Sequence, residues 1–167
     1  MSMFQVDEVS SEETIARLLN KVWFVEGVLQ QSAFQLRNGE SYLSVNRTAI
    51  DSYKDDVAKF VSQHPDYKTS PNSNTYSRAL MNVGEVRGID FVFNGKSLNV
   101  SVEVEPRTSH IKSHAGIFAR YDDKNIKGGQ VFVISNKDSE PVSTPDILQK
   151  LRWKLLQLST VEVCRIN

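Results

Sequence analysis

The longest regular pattern in the chain is an alternation. Leu98, Val100, Val102 and Val104 are separated by Asn99, Ser101, Glu103 and Glu105, which predicts a strand with one buried and one wet face. Phe91-Val92-Phe93 precedes it across Asn94-Gly95, a strong hairpin-turn dipeptide. Elsewhere the period changes. Ile15, Leu18, Leu19 and Val22 fall at i, i+3, i+4 and i+7, behind a Ser10/Glu13 capping-box spacing and ahead of Gly27. That stripe predicts a helix over 10–27. A second helix is predicted from Ile50, Tyr53, Val57, Phe60 and Val61. It ends before His64-Pro65, because a residue that precedes proline disfavours the helical region. A third starts at Thr144-Pro145-Asp146 and carries Ile147, Leu148, Leu151, Leu155 and Leu158.

Residues 28–36 and 42–47 read as the two arms of a hairpin turning near Asn38-Gly39. On the returning arm Leu43, Val45 and Arg47 share one face, and Tyr42, Ser44 and Asn46 the other. Residues 65–75 are polar and rich in turn formers, a loop long enough to serve as a lid. Residues 79–83, 114–121, 130–135 and 161–166 are further strand candidates, and 84–88 is one helical turn. About three helices and six to seven strands, two hairpins among them, predict an α+β fold with a mixed or mainly antiparallel sheet. The expected organisation is a single domain over 1–167 with a flexible polar loop at 65–75.

Composition narrows the function classes. Hydrophobic residues at 40% and charged residues at 24% suit a folded globular chain. Twenty basic and twenty acidic residues cancel to a formal net charge of zero. This disfavours nucleic acid as a partner and leaves homo-oligomerisation open, since copies repel little. The first residues, MSMFQVDEVSSEE, are acidic, and no stretch approaches the roughly 20 apolar residues that span a bilayer. The expectation is therefore a cytoplasmic protein with no membrane partner. Cys164 is the only cysteine, which excludes an intrachain disulfide and a Cys-rich zinc site. His110 and His114 are four apart, but they flank a strand break, where helical spacing has no meaning; no metal is expected. Phosphate-loop, GxSxG and HExxH motifs are missing, so no cofactor is indicated.

Two residues carry the candidate chemistry. His114 precedes the small pair Ala115-Gly116, where a ligand can approach the backbone closely, and histidine exchanges protons near neutral pH. Arg47, in phase with Leu43 and Val45, needs a partner, because an unpaired buried charge costs several kcal/mol. Either Asp51 or Glu40 forms a structural ion pair with it, or its guanidinium anchors an anionic ligand. The expected cleft has Ser32, Ser44 and Arg47 as ligand-binding residues and His114 as the acid–base group.

Ser32-Ala33-Phe34, Leu43-Ser44-Val45-Asn46-Arg47 and His114-Ala115-Gly116-Ile117 resemble the scattered signature of a group of small bacterial proteins with no established activity. These show S-A-F, L-S-V-x-R and H-A-x-I elements in the same order. The resemblance covers patches of residues 28–118. It implies a bacterial source and one site shared by Ser32, Arg47 and His114, without assigning it a reaction. Two functions remain in view. The first is a non-catalytic interaction or accessory module, whose partner would be another protein; zero net charge and the wet face at Asn99, Ser101 and Glu103 suit it. The alternative is a small enzyme or ligand-binding protein whose polar cleft takes a nucleotide or other small anionic ligand.

Overall fold

A computed structural model describes residues 5, 7–37, 40–93, 98–107, 110–123, 131–133 and 144–166. Ten strands and three α-helices follow one another in the order β1 (Thr14–Leu19), β2 (Phe24–Val25), β3 (Val28–Leu29), β4 (Leu43–Arg47), α1 (Tyr53–Gln63), β5 (Thr75–Asn82), α2 (Val83–Arg87), β6 (Asp90–Phe93), β7 (Leu98–Pro106), β8 (His114–Asp123), β9 (Val131–Val133), α3 (Thr144–Leu158) and β10 (Thr160–Arg165). The main sheet has eight strands in the order β10-β5-β1-β4-β8-β7-β6, with β9 also paired to β8. Every pairing in it is antiparallel. The fold is α+β, as the mixture of periods predicts.

The sheet is covered on both faces. Ala16 and Leu18 of β1 and Tyr76 of β5 pack with Tyr53, Val57 and Val61 of α1 on one side. Ile15 and Leu19, Leu43 and Val45, and Val100, Val102 and Val104 point the other way. There they meet Leu148, Leu151 and Leu155 of α3 and Ala33 and Phe34 of a 3₁₀ turn. In β7 the alternation holds: Val100, Val102 and Val104 are buried, and Ser101 and Glu103 are exposed. β6 pairs with β7 from Asp90–Ser101 to Phe93–Leu98; Asn94-Gly95 lies outside the described residues. α1 ends at Gln63 before Pro65, and β10 occupies most of the predicted terminal strand.

The expected first helix is a strand. β1 lies between β5 and β4 with helices over both faces, so Ile15, Ala16, Leu18 and Leu19 are all buried. Burying both faces erases the period of two and leaves a spacing that imitates a helical stripe. Ser10 and Glu13 do bond like a capping box, Ser10 N donating to Glu13 Oε2 at 2.8 Å, but a strand follows the turn. The chain then passes through a 3₁₀ turn at Lys21–Trp23 into the small β2–β3 hairpin. Its tip is Glu26-Gly27, both with positive φ (50° and 79°), which matches a tight turn to the twist of its arms.

The expected hairpin of 28–36 with 42–47 does not form. Val28 and Leu29 pair with β2, residues Gln31–Phe34 coil into a 3₁₀ turn under α3, and β4 inserts between β1 and β8. Asn38-Gly39 lies outside the described residues. In the segment predicted as a polar loop, Pro65–Tyr67 form a 3₁₀ turn, and Thr69, Ser70, Ser73 and Thr75 bond to one another. Among the described residues, no helix is long and apolar enough to cross a membrane.

Candidate functional site

Arg47 has a structural partner, and it is neither Asp51 nor Glu40. The side chain is fully buried, as is that of Glu13, and Nε and Nη2 donate to Glu13 Oε1 and Oε2 at 2.8 and 2.9 Å. Nη2 also donates to the carbonyls of Gln5 and Glu8 at 2.5 and 2.7 Å. The bidentate fork with extra carbonyl acceptors is the arrangement that makes a buried guanidinium tolerable. Arg47 is therefore removed from the expected cleft, because its side chain lies on the α3 face of β4, sealed from solvent. Ser32 also lies outside the cleft: it is an exposed residue of the 3₁₀ turn, and its carbonyl accepts from Gln35 N.

A cleft does exist, on the α1 face, and a different arginine, Arg17, lines it. The β1–β4 ladder has only two paired positions, Ile15–Arg47 and Ala16–Asn46. Beyond them the Arg17 side chain takes over the bonding. Its Nη1 donates to Ser44 O at 2.8 Å and its Nε to Ala33 O at 2.9 Å, while the guanidinium lies 5.2 Å from the Trp23 ring centroid. Nη2 has no partner among the described residues. Burial pushes the Arg17 pKa down to about 10, against opposing contributions from Tyr67 and Glu40; the group is still charged at neutral pH.

The opening has a volume of about 300 Å³ and is walled by Leu18, Phe60, Tyr67 and Ile111, with Arg17, Arg37, Glu40, Ser44, Asn46, Asp56 and His114 as its polar groups. On its α1 side a chain of bonds fixes two of them, Asp56 and Asn46. Ser113 Oγ, on a fully buried residue, donates to Asp56 Oδ2 at 2.6 Å and accepts from Asn46 Nδ2 at 2.9 Å. Ser113 N and Ser52 Oγ donate to the same Asp56 oxygen at 3.2 and 2.9 Å.

His114 and Ser44 are brought together as expected. His114 sits opposite Asn46 on β8, and its Nε2 lies 3.2 Å from Ser44 Oγ. Burial first, and then Arg107, push the His114 pKa below the ordinary histidine value, so the neutral ring prevails at pH 7. It can accept the Ser44 proton or donate to a ligand, depending on tautomer. Gly116, two residues on, lies beneath an aromatic shelf. A Cβ there would meet Tyr42 Cδ2 at 2.7 Å, and Tyr42 packs on Phe118 (ring centroids 5.2 Å apart) under the Arg107 guanidinium at 4.4 Å. His110 is exposed, away from the cleft wall.

The structure thus unites Ser44 and His114, excludes Ser32 and Arg47, and adds Arg17, Asn46 and Asp56. The added residues left one signal in the sequence, which is Arg17, a charge set inside the apolar run of Ile15, Ala16, Leu18 and Leu19. Ala33 and Ser44 supply the carbonyls that hold Arg17. No protein-family model, no curated protein and no solved structure matches the chain.

Proposed function

We propose that the protein binds a small anionic molecule in the cleft between β1, β4 and α1, with Arg17 as the anchor and Ser44 and His114 on the adjoining wall. The observation that carries this reading is the state of the Arg17 guanidinium. Two of its nitrogens are committed to main-chain carbonyls, and the third is left with a donor edge in an opening lined by apolar and aromatic side chains. A fixed guanidinium pays little ordering entropy when it takes up a carboxylate or phosphate. The Ser44–His114 hydrogen bond adds a neutral imidazole that can share a proton with the ligand. The composition and the family resemblance support a bacterial cytoplasmic setting.

The test is a thermal-shift panel of nucleoside monophosphates, sugar phosphates and small carboxylates. A ligand present at 100 times its dissociation constant stabilises the native state by about 2.7 kcal/mol. In a chain of this size that raises Tm by roughly 5–10 °C. Arg17→Gln should abolish the shift. A flat panel, or a shift that survives Arg17→Gln, refutes the reading.

A second reading, a non-catalytic module that docks another protein, is favoured by the β2–β3 hairpin. Val25 and Val28 in the hairpin and Val22 in the turn before it stand 57%, 61% and 68% exposed, a set of neighbouring apolar side chains on which a partner can pack. With the docked protein taken to be a second copy of this chain, Val25→Ser with Val28→Ser lowers the mass that the wild-type chain shows in sedimentation. A wild-type chain that sediments as a lone monomer at tens of micromolar counts against it.

A further inference from the structure

The charges in the cleft do not suit an anion alone. Arg17 and Arg37 are opposed by Glu40 and Asp56, so a purely anionic ligand would bring its charge against two carboxylates. A ligand carrying both signs meets no such conflict.

The detailed bonding sharpens this. Asp56 is fixed through one oxygen only. Oδ2 accepts from Ser113 Oγ, Ser113 N and Ser52 Oγ, whereas Oδ1 has no donor among the described residues. Asn46 is oriented by the same chain. Ser113 gives its only hydroxyl proton to the carboxylate, so it must accept from Asn46, which identifies the bonded Asn46 atom as the amide nitrogen. The Asn46 oxygen Oδ1 is left without a donor among the described residues. One wall therefore presents two acceptors, one of them charged, and Arg17 presents a charged donor with its other edge already fixed. An ammonium group, with three donors and no acceptor, complements the first; a carboxylate complements the second. Between them Leu18, Phe60, Tyr67 and Ile111 offer apolar contact, and about 300 Å³ stands at the small end of ligand pockets.

We propose that the ligand is a small zwitterion of the amino-acid class, its ammonium group held by Asp56 and Asn46 and its carboxylate by Arg17, with an apolar side chain against Phe60 and Tyr67. This rests on the anion-binding role of Arg17 and adds to it the requirement for a positive group on the same molecule.

The experiment is calorimetric titration of the full chain with leucine, phenylalanine, their N-acetyl derivatives and their amides. The expected result is saturable binding of at least one free amino acid, weakened tenfold or more by either modification. Asp56→Asn should bring the affinity for the free amino acid down to that of its N-acetyl derivative. If this variant does not fold, the ligand comparison on the wild-type chain decides alone. N-acetyl derivatives binding as tightly as the free amino acids overturn the zwitterion and leave the anion site standing. Amides binding as tightly as the free acids overturn the role of Arg17 as carboxylate anchor, and the zwitterion with it. No binding in this series, with a positive result in the anion panel, overturns the zwitterion alone.

Discussion

Glu13→Gln tests the core of this fold with almost no change of shape. The wild-type carboxylate takes Arg47 Nε and Nη2 at 2.8 and 2.9 Å, away from water, and the half-buried Ser10 amide at 2.8 Å. Glutamine fills the same volume but removes the counter-charge and turns an NH₂ group toward a donor. The buried guanidinium keeps the Gln5 and Glu8 carbonyls and can bond the amide oxygen of the glutamine, but it loses its counter-charge and one of the two arms of the fork. Breaking a buried pair from one side costs roughly 3–5 kcal/mol, a large share of the about 5–15 kcal/mol that holds a domain together. Tm should fall by roughly 6–20 °C, at about 2–4 °C per kcal/mol for a chain of this size. Chemical denaturation gives the free energy directly. The companion is Glu13→Leu with Arg47→Met, which deletes both charges. It should cost less than Glu13→Gln alone: the Gln5 and Glu8 carbonyls and the Ser10 amide lose their partners, but these are part-buried groups that water can reach, and no charge is left buried. A Glu13→Gln chain within 1 kcal/mol of wild type, or a double variant worse than the single, would refute this account of the pair.

The remaining predictions concern the cleft and the shelf beside it. His114 has its folded pKa below its unfolded value, so its contribution to stability is complete above the unfolded value and is lost as pH falls through the folded one. Tm should therefore decline as pH drops below about 6.5, and His114→Gln should flatten that decline; an unchanged slope refutes it. Gly116→Ala forces a Cβ to within 2.7 Å of the Tyr42 ring, and the displaced aromatic shelf should cost about 1–3 kcal/mol in denaturant unfolding. A neutral substitution would mean that Tyr42 moves freely.

How much of this was legible in the sequence depended on how many faces each element buries. β7, wet on one side, alternates plainly between Val100, Val102, Val104 and its polar neighbours, and α1 and α3 show a single apolar stripe. β1 is buried on both sides, so Ile15, Ala16, Leu18 and Leu19 lose the period that identifies a strand. The need of Arg47 for a partner could be read from its phase with Leu43 and Val45. The partner could not, because Glu13 lies 34 residues away and reaches Arg47 only once β1 and β4 are paired. The same holds for the cleft. Ser44 and His114 are 70 residues apart, and nothing in the local sequence of either points to the other. Asp56 is one of two acids in the first turn of α1, and only Ser113, 57 residues on, ties it to Asn46.

The short ladder between β1 and β4 also has a mechanical meaning. Two pairings hold these central strands together, and below them a single arginine side chain stands in for the main-chain bonds of a continuous sheet. A molecule bound there would act as a rivet, joining β1 to β4 and α1 through its own atoms. Its arrival should therefore register as slower amide exchange along Leu18 and Leu19 and around Ser44. The rigidity of the sheet and the occupancy of the cleft would then be two readings of one quantity.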